Sequence, residues 1–337
     1  MRYNNINFNN KTILITGGAG FIGSNIAFYL QTHYPEAKIV IFDSFRSGET
    51  FSNGNLKSFG HYKNLIGFRG DIVYGDLRNQ DEINKLFAQY QFDYIFHEAA
   101  ISDTRVYDQS IVMQTNVNSF YFILEMAKKM NSIVVYASSA ATYGSMPSPQ
   151  TIGKEKPENV YGFSKYAMDQ IAYRYIRENP DMHIVGLRYF NVYGEREFFK
   201  NKTASMVIQL GHQILSGKAP KLFYDSDKIF RDFVYIKDVV QANIKACEAK
   251  KSGIYNIGTS IPRSFQEIAD ILQKELGTSY ETKYIQNPHV GYQFHTQADI
   301  SLSEAFLDYR PLWGLEEGIK DYIGYIKKIY EEESPNV

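Results

Sequence analysis

The chain has a single cysteine, Cys247, so it can form no intrachain disulfide and build no cysteine-based metal cluster. Its 7 histidines are scattered without metal-ligand spacing, and no metal is expected. Charge of one sign is also missing: 36 basic side chains face 37 acidic ones, for a net charge of −1. With no basic block, neither nucleic acid nor an anionic membrane surface is an expected partner. No apolar run is long enough to span a bilayer. The opening segment, Met1–Asn10, is polar and rich in asparagine, unlike a signal peptide. Repeats and low-complexity stretches are absent. These absences leave a cytoplasmic globular protein as the expectation.

A length of 337 residues fits one large domain or two coupled ones. The 27 tyrosines and 23 phenylalanines are read as core and subdomain-interface residues. Short β-branched runs alternate with helical segments. Strands are expected at Thr12–Ile15, Lys38–Phe42, Asp71–Tyr74, Tyr94–Phe96, Ser132–Tyr136 and His183–Arg188. Helices are expected at Ser24–His33, Gln80–Tyr90, Val112–Met130 and Tyr161–Glu178. This alternation predicts an α/β fold with a Rossmann-type, doubly wound parallel sheet. After Gly194 the rhythm changes, which predicts a smaller C-terminal α+β substrate-binding subdomain. The expected division is a dinucleotide-binding domain over 1–195, with a return segment at about 232–262, and a substrate-binding subdomain over 196–231 and 263–337.

Gly17-Gly18-Ala19-Gly20-Phe21-Ile22-Gly23 lies between the first strand and the first helix. Glycines there permit a tight turn and close approach of a pyrophosphate, and the helix N-terminus offers free N–H groups to that anion. Asp43 follows about 20 residues on, at the end of the second strand, where a carboxylate accepts hydrogen bonds from an adenosine ribose. That favours NAD. Arg46, three residues later, can pair with a 2′-phosphate, which favours NADP. Ser44 opens a long excursion to Gly70, rich in Ser, Gly, Asn and Lys, which also carries Lys57 and Lys63. Asp76, beside Leu77, is placed to bond an adenine amino group. Glu98 and Ser102 bracket the end of the fourth strand, where small Ala99 and Ala100 let a cofactor lie against the backbone. Asn116 and Val192 complete the expected cofactor contacts.

Tyr161 and Lys165 are four residues apart, on one face of a helix. An ammonium beside a phenol stabilises the phenolate, so the tyrosine pKa is expected to fall toward neutrality. Such a tyrosine takes a proton from an alcohol while a nicotinamide takes the hydride. Ser139 can hydrogen-bond both the alcohol and the phenol. Ala140 and Ala141 follow it, and alanines cannot perform the acid/base work of a dehydratase. Lys200 is a solvated loop lysine, a second acid/base group or a ligand of substrate phosphate. Arg231 is a candidate pyrophosphate ligand, the alternative being a salt bridge to Asp232 or Asp238. His97 is read as structural.

Together these residues resemble the extended short-chain dehydrogenase/reductase superfamily. Within it the chain is similar to the ADP-L-glycero-D-manno-heptose 6-epimerase family. The similarity is carried by Tyr136–Gly144, Asn159–Gly162, Arg188–Gly194, Pro220–Phe223, Arg231–Tyr235 and Thr296–Asp299. The resemblance implies that Tyr161 and Lys200 are the two acid/base groups. It also implies substrate contacts from Asn191, Lys202, Phe223, Ser226, Arg231 and Tyr292. Further implications are a retained NADP (NAD being the alternative), an ADP-heptose substrate, a homo-oligomer that is pentameric in known members, and a role in lipopolysaccharide core synthesis. A 4-epimerase of a UDP- or GDP-hexose is the nearest alternative. This chain departs from the pattern at Tyr224-Asp225, at Lys202-Thr203, at Gln209, and in the length of the Ser44–Gly70 excursion.

Overall fold

The computed structural model describes residues 2–3, 5–287 and 293–333. Among the described residues twelve strands run in chain order. β1 to β6 are Thr12–Thr16, Lys38–Asp43, Asp71–Tyr74, Tyr94–His97, Ile133–Ser139 and Ile184–Tyr189. β7 to β12 are Asn191–Tyr193, Lys221–Phe223, Phe230–Tyr235, Gly253–Ile257, Pro262–Ser264 and Lys283–Ile285. The helices α1 to α5 are Phe21–His33, Gln80–Gln89, Gln109–Val112, Ser119–Met130 and Val160–Glu178. A π-helical stretch, Met113–Asn118, joins α3 to α4. The helices α6 to α10 are Met206–Leu215, Ile236–Ala246, Phe265–Leu276, Ser301–Leu307 and Leu315–Glu333.

Seven strands form one sheet in the order β10-β6-β5-β4-β1-β2-β3, and every pairing in it is parallel. Side chains alternate across it, as a strand's period of two dictates. Ile13, Ile15, Ile39, Ile41, Phe96 and Val135 enter one hydrophobic core. Their neighbours Leu14, Val40, Ile95, Val134 and Tyr136 enter the other. Both faces are thus covered, which is why these strands read as unbroken apolar runs. The order in which strands are added reverses between β1 and β4, leaving a crevice at the carboxyl ends of the strands.

The C-terminal region packs α6, α8 and α10 together and adds two small sheets, β11-β9-β7 and β12-β8. The predicted return segment is therefore divided. β10 joins the main sheet beside β6, whereas β9 pairs with β7 and β11 instead. Helix boundaries have local causes. Asn79 and Asn159 accept backbone N–H groups at the starts of α2 and α5. Ser264 and Glu267 form a reciprocal capping box on α8.

Candidate active site

The crevice is lined by residues from the carboxyl ends of β1, β2, β4, β5 and β6, from α5, and from the Ser44–Gly70 excursion. Gly17 has φ +68°, and a Cβ there would meet the Ala99 Cα and N at 2.7 Å. A Cβ on Gly23 would lie 2.5 Å from the Gly17 carbonyl oxygen. Only glycine fits either position. Gly20, at the start of α1, offers no side-chain cap, and Gly17, Gly20, Phe21, Ile22 and Gly23 all face the cleft. This is a backbone cradle with the polarity an anion requires, so the residues present fit a dinucleotide. The excursion is pinned to the cradle, because the Ala19 carbonyl accepts from His61 N at 3.0 Å and from Asn64 Nδ2 at 3.1 Å.

Asp43, Ser44, Asp76, Leu77, Glu98, Ala99, Ala100, Ser102 and Val192 all line the cleft. The Asp43 carboxylate accepts from Ala19 N at 3.0 Å and Phe45 N at 2.8 Å, and burial raises its pKa. Asp76 is gripped by the Arg78 guanidinium at 2.5 Å. Glu98 is half-buried in the cleft wall and accepts from the Tyr189 hydroxyl at 3.0 Å; burial pushes its carboxyl up to about 7.

Two predicted cofactor contacts lie elsewhere. Arg46 turns its guanidinium onto the Phe199 carbonyl and does not line the cleft; Lys57 is the cation of the excursion that does. Asn116 is buried outside the cleft, in the π-helical stretch. It accepts from Ile101 N at 2.8 Å and donates to Ile101 O at 3.0 Å and Ser164 Oγ at 2.9 Å. Asn116 thereby ties the loop after β4 to α5. A long polar side chain satisfied on both amide atoms by protein groups is a brace rather than a ligand.

Tyr161, Lys165, Ser139 and Lys200 converge on the same cleft. The Ser139 side chain hydrogen-bonds the Tyr161 phenol, which favours its anion. The predicted fall of the tyrosine pKa is nonetheless reversed. Burial dominates and raises it, with the nearby Glu98 charge adding to the rise. Lys165 instead donates to the Ala137 carbonyl at 2.6 Å, and burial lowers its own pKa to about 8. Lys200 is also held below the usual lysine range by burial, against the opposing charges of Glu197 and Asp103. Its ammonium sits 5.7 Å from the centre of the Phe21 ring.

Of the expected substrate contacts Ser139 lines the cleft, whereas Asn191, Lys202, Phe223, Ser226 and Arg231 are separate from this lining. Asn191 and Lys202 are exposed. Phe223 ends β8, and Ser226 follows in a short 3₁₀ turn, 1% exposed, with no hydrogen-bond partner for its hydroxyl among the described residues. Arg231 donates to the Phe230 carbonyl at 2.9 Å and to the Gln293 carbonyl. Tyr292 lies outside the described residues. His97 is buried, shares a 2.9 Å hydrogen bond with Thr16, and stacks on Phe120, as a structural histidine does.

Sequence reasoning missed the support behind Ser139. Arg188, wholly buried, bonds Asp169 at 2.8 Å and Glu155 at 2.5 Å. Asp169 also accepts from Tyr136 at 2.8 Å and Ser138 at 2.9 Å. Asp169 sits one helical turn beyond Lys165, and that spacing was the available signal. Among the described residues no cluster suits a metal ion, and no helix is long and apolar enough to cross a membrane.

Residues 13–258 match the NAD dependent epimerase/dehydratase family. Over 97% of this chain and 99% of the other, the fold superposes on Helicobacter pylori ADP-L-glycero-D-manno-heptose-6-epimerase with TM-score 0.89 and 49% identity. UDP-glucose 4-epimerase of Thermotoga maritima matches with TM-score 0.83 at 26% identity, over 94% of this chain and 99% of that one. UDP-glucuronic acid 4-epimerase of Bacillus cereus, solved with UDP-glucuronic acid and NAD, matches with TM-score 0.80 at 27% identity, over 95% of this chain and 100% of that one.

Proposed function

The chain belongs to the NAD dependent epimerase/dehydratase family, and we propose that within it the reaction is inversion of C6 of ADP-D-glycero-D-manno-heptose to the L-glycero epimer. The observation that carries this reading is the presence of two acid/base side chains, Tyr161 and Lys200, on different elements facing one cleft. The 49% identity to a heptose epimerase, over 97% of this chain and 99% of the other, supports the sugar.

NADP⁺, when bound, supplies a hydride acceptor and afterwards the donor. The Gly17–Gly23 cradle and the α1 N-terminus hold its pyrophosphate. Asp43 and Ser44 take the adenosine ribose, Asp76 and Leu77 the adenine, and Glu98 through Ser102 with Val192 the other half. NADP is preferred with NAD as the alternative, and Lys57, on the cleft wall and paired with Glu49 at 3.0 Å, is the cation of the excursion nearest to hand for a 2′-phosphate.

Ser139 orients the C6 alcohol toward the phenol it bonds. One of Tyr161 and Lys200 removes the hydroxyl proton as the C6–H bond gives up its hydride. The 6-ketone turns in the pocket, its oxygen reaches the other group, and that group returns a proton. Two groups are needed because the oxygen occupies two positions. Lys200 suits this role because burial destabilises its charge and holds its pKa below the usual lysine range, so it gives up a proton more readily than an exposed lysine does. Lys165 holds the nicotinamide ribose side of the site. Ser226, whose buried hydroxyl has no partner among the described residues, is assigned to the substrate with Phe223, Arg231, Asn191, Lys202 and Tyr292. The same reading carries a cytoplasmic homo-oligomer that serves lipopolysaccharide core synthesis.

The test is NMR of purified protein with ADP-D-glycero-D-manno-heptose, with and without added NADP⁺. Conversion to the L-glycero epimer establishes the function. If the heptose is untouched with NADP⁺ supplied while a UDP- or GDP-hexose is epimerised at C4, the sugar assignment is wrong.

A further inference from the structure

Lys200 sits on a loop whose backbone is held in an unusual shape. Arg196 has φ +71° and Asn201 φ +52°, so the lysine lies between two non-glycine residues in the left-handed region. Such conformations persist only where the surroundings over-determine them. Here one side chain does most of this. Glu197 is 0% exposed, and four donors converge on its carboxylate. Oε1 accepts from Gly194 N at 3.0 Å, Ser205 Oγ at 2.8 Å and the Tyr322 hydroxyl at 3.2 Å. Oε2 accepts from Ser205 N at 2.6 Å. One carboxylate thus closes the loop from Gly194 to Ser205 and fastens it to α10. Inside the loop, Lys200 N donates to the Glu197 carbonyl at 2.9 Å, and Thr203 Oγ1 donates to the Lys200 carbonyl at 2.8 Å.

We propose that Glu197 is the positioning residue for Lys200, holding the loop that presents its ammonium to the cleft. This rests on the reading of Lys200 as an acid/base group. A carboxylate is the only side chain of this length that accepts at both oxygens. In Glu197→Gln an amide –NH₂ necessarily faces one of the donors now satisfied, and the loop must open there. The negative charge that favours the protonated lysine is lost at the same time.

The experiment compares wild type, Glu197→Gln and Tyr322→Phe, the last removing one donor and leaving the charge. Steady-state epimerisation is measured by NMR, NADP⁺ affinity by fluorescence titration, and Lys200 reactivity by acylation with an amine-directed ester followed by peptide mass spectrometry. Expected for Glu197→Gln is a kcat lower by about tenfold or more, with KM and NADP⁺ affinity unchanged and faster acylation of Lys200. Tyr322→Phe should move kcat and acylation the same way by less, and it decides the matter if the glutamine variant does not fold. Unchanged kcat and acylation, or a kcat loss matched in KM and NADP⁺ affinity, would overturn the proposal. A wild type that epimerises nothing overturns the substrate reading instead, and acylation of Lys200 still decides the role of Glu197.

Discussion

Lys165 reaches from α5 to the sheet and donates to the Ala137 carbonyl at 2.6 Å, two residues before Ser139 on β5. The contact fixes the height of the catalytic helix over the strand that carries Ser139. It also leaves an ammonium in a buried place, with a pKa lowered to about 8 chiefly by desolvation, against the pull of Glu98 and Asp169. The rate should therefore fall as pH rises through about 8, where this cation is lost. In Lys165→Arg the charge persists, so the alkaline limb should move outward even as the absolute rate drops. The measurement is kcat/KM against pH for both proteins; coincident alkaline limbs would remove Lys165 from the explanation.

Tyr161→Phe and Lys200→Met should each lower kcat by roughly 10²–10⁴, the usual worth of a positioned acid or base. Each variant should still bind NADP⁺, since neither change alters the backbone of the Gly17–Gly23 cradle. Time-resolved NMR of the heptose nucleotide gives the rates. Full activity in either variant would take that residue out of the acid/base pair.

Much of this was legible in the sequence, for identifiable reasons. Strands such as Thr12–Thr16 and Ile184–Tyr189 are buried on both faces, so they appear as apolar runs, and glycines mark the turn after the first. The Tyr161–Lys165 spacing implies a shared helical face whatever surrounds it. What stayed hidden depends on burial and on which way a long side chain turns. The fall predicted for the Tyr161 pKa counted the lysine and not the desolvation that outweighs it. Arg46 is a short step from Asp43 in sequence, yet its guanidinium turns to Phe199, 153 residues away. Asn116 and Asp169 brace the site through partners 15 to 48 and 19 to 33 residues distant, which no local pattern announces.

Gly17→Ala should weaken NADP⁺ binding more than it weakens folding. The new methyl would need the left-handed φ of +68° and would press on the Ala99 backbone at 2.7 Å, and backbone cannot swing aside. The turn and the loop after β4 would separate, widening the cradle. Fluorescence titration with NADP⁺ should show the loss; unaltered affinity would mean that the cradle does not hold the pyrophosphate.

Asp169→Asn should cost about 3–5 kcal/mol of stability, the range for removing one partner of a buried ion pair. Arg188 would retain only Glu155 as a counter-charge, in a place where neither Arg188 nor Asp169 is exposed. The urea midpoint should fall with little change in slope. A midpoint near that of wild type would show that the network contributes geometry rather than stability.

His97 predicts the acid behaviour of the fold. Burial holds its pKa down at about 3, from an ordinary 6.5, with the Lys165 charge adding to the effect. Between those values the unfolded chain binds a proton that the native one refuses, so stability falls as pH drops through that window. The slope is at most about 1.4 kcal/mol per pH unit from this group. Glu98 and Asp238, both raised to about 7 by burial, act with the opposite sign over the carboxylate range. Wild type alone therefore mixes the two trends. His97→Gln separates them, because the glutamine does not titrate and the carboxylates are common to both proteins. The difference in unfolding free energy between wild type and His97→Gln, measured by urea titration from pH 7 to pH 4, should change steadily against wild type. A difference independent of pH would mean that the native His97 takes up a proton as readily as the unfolded chain does.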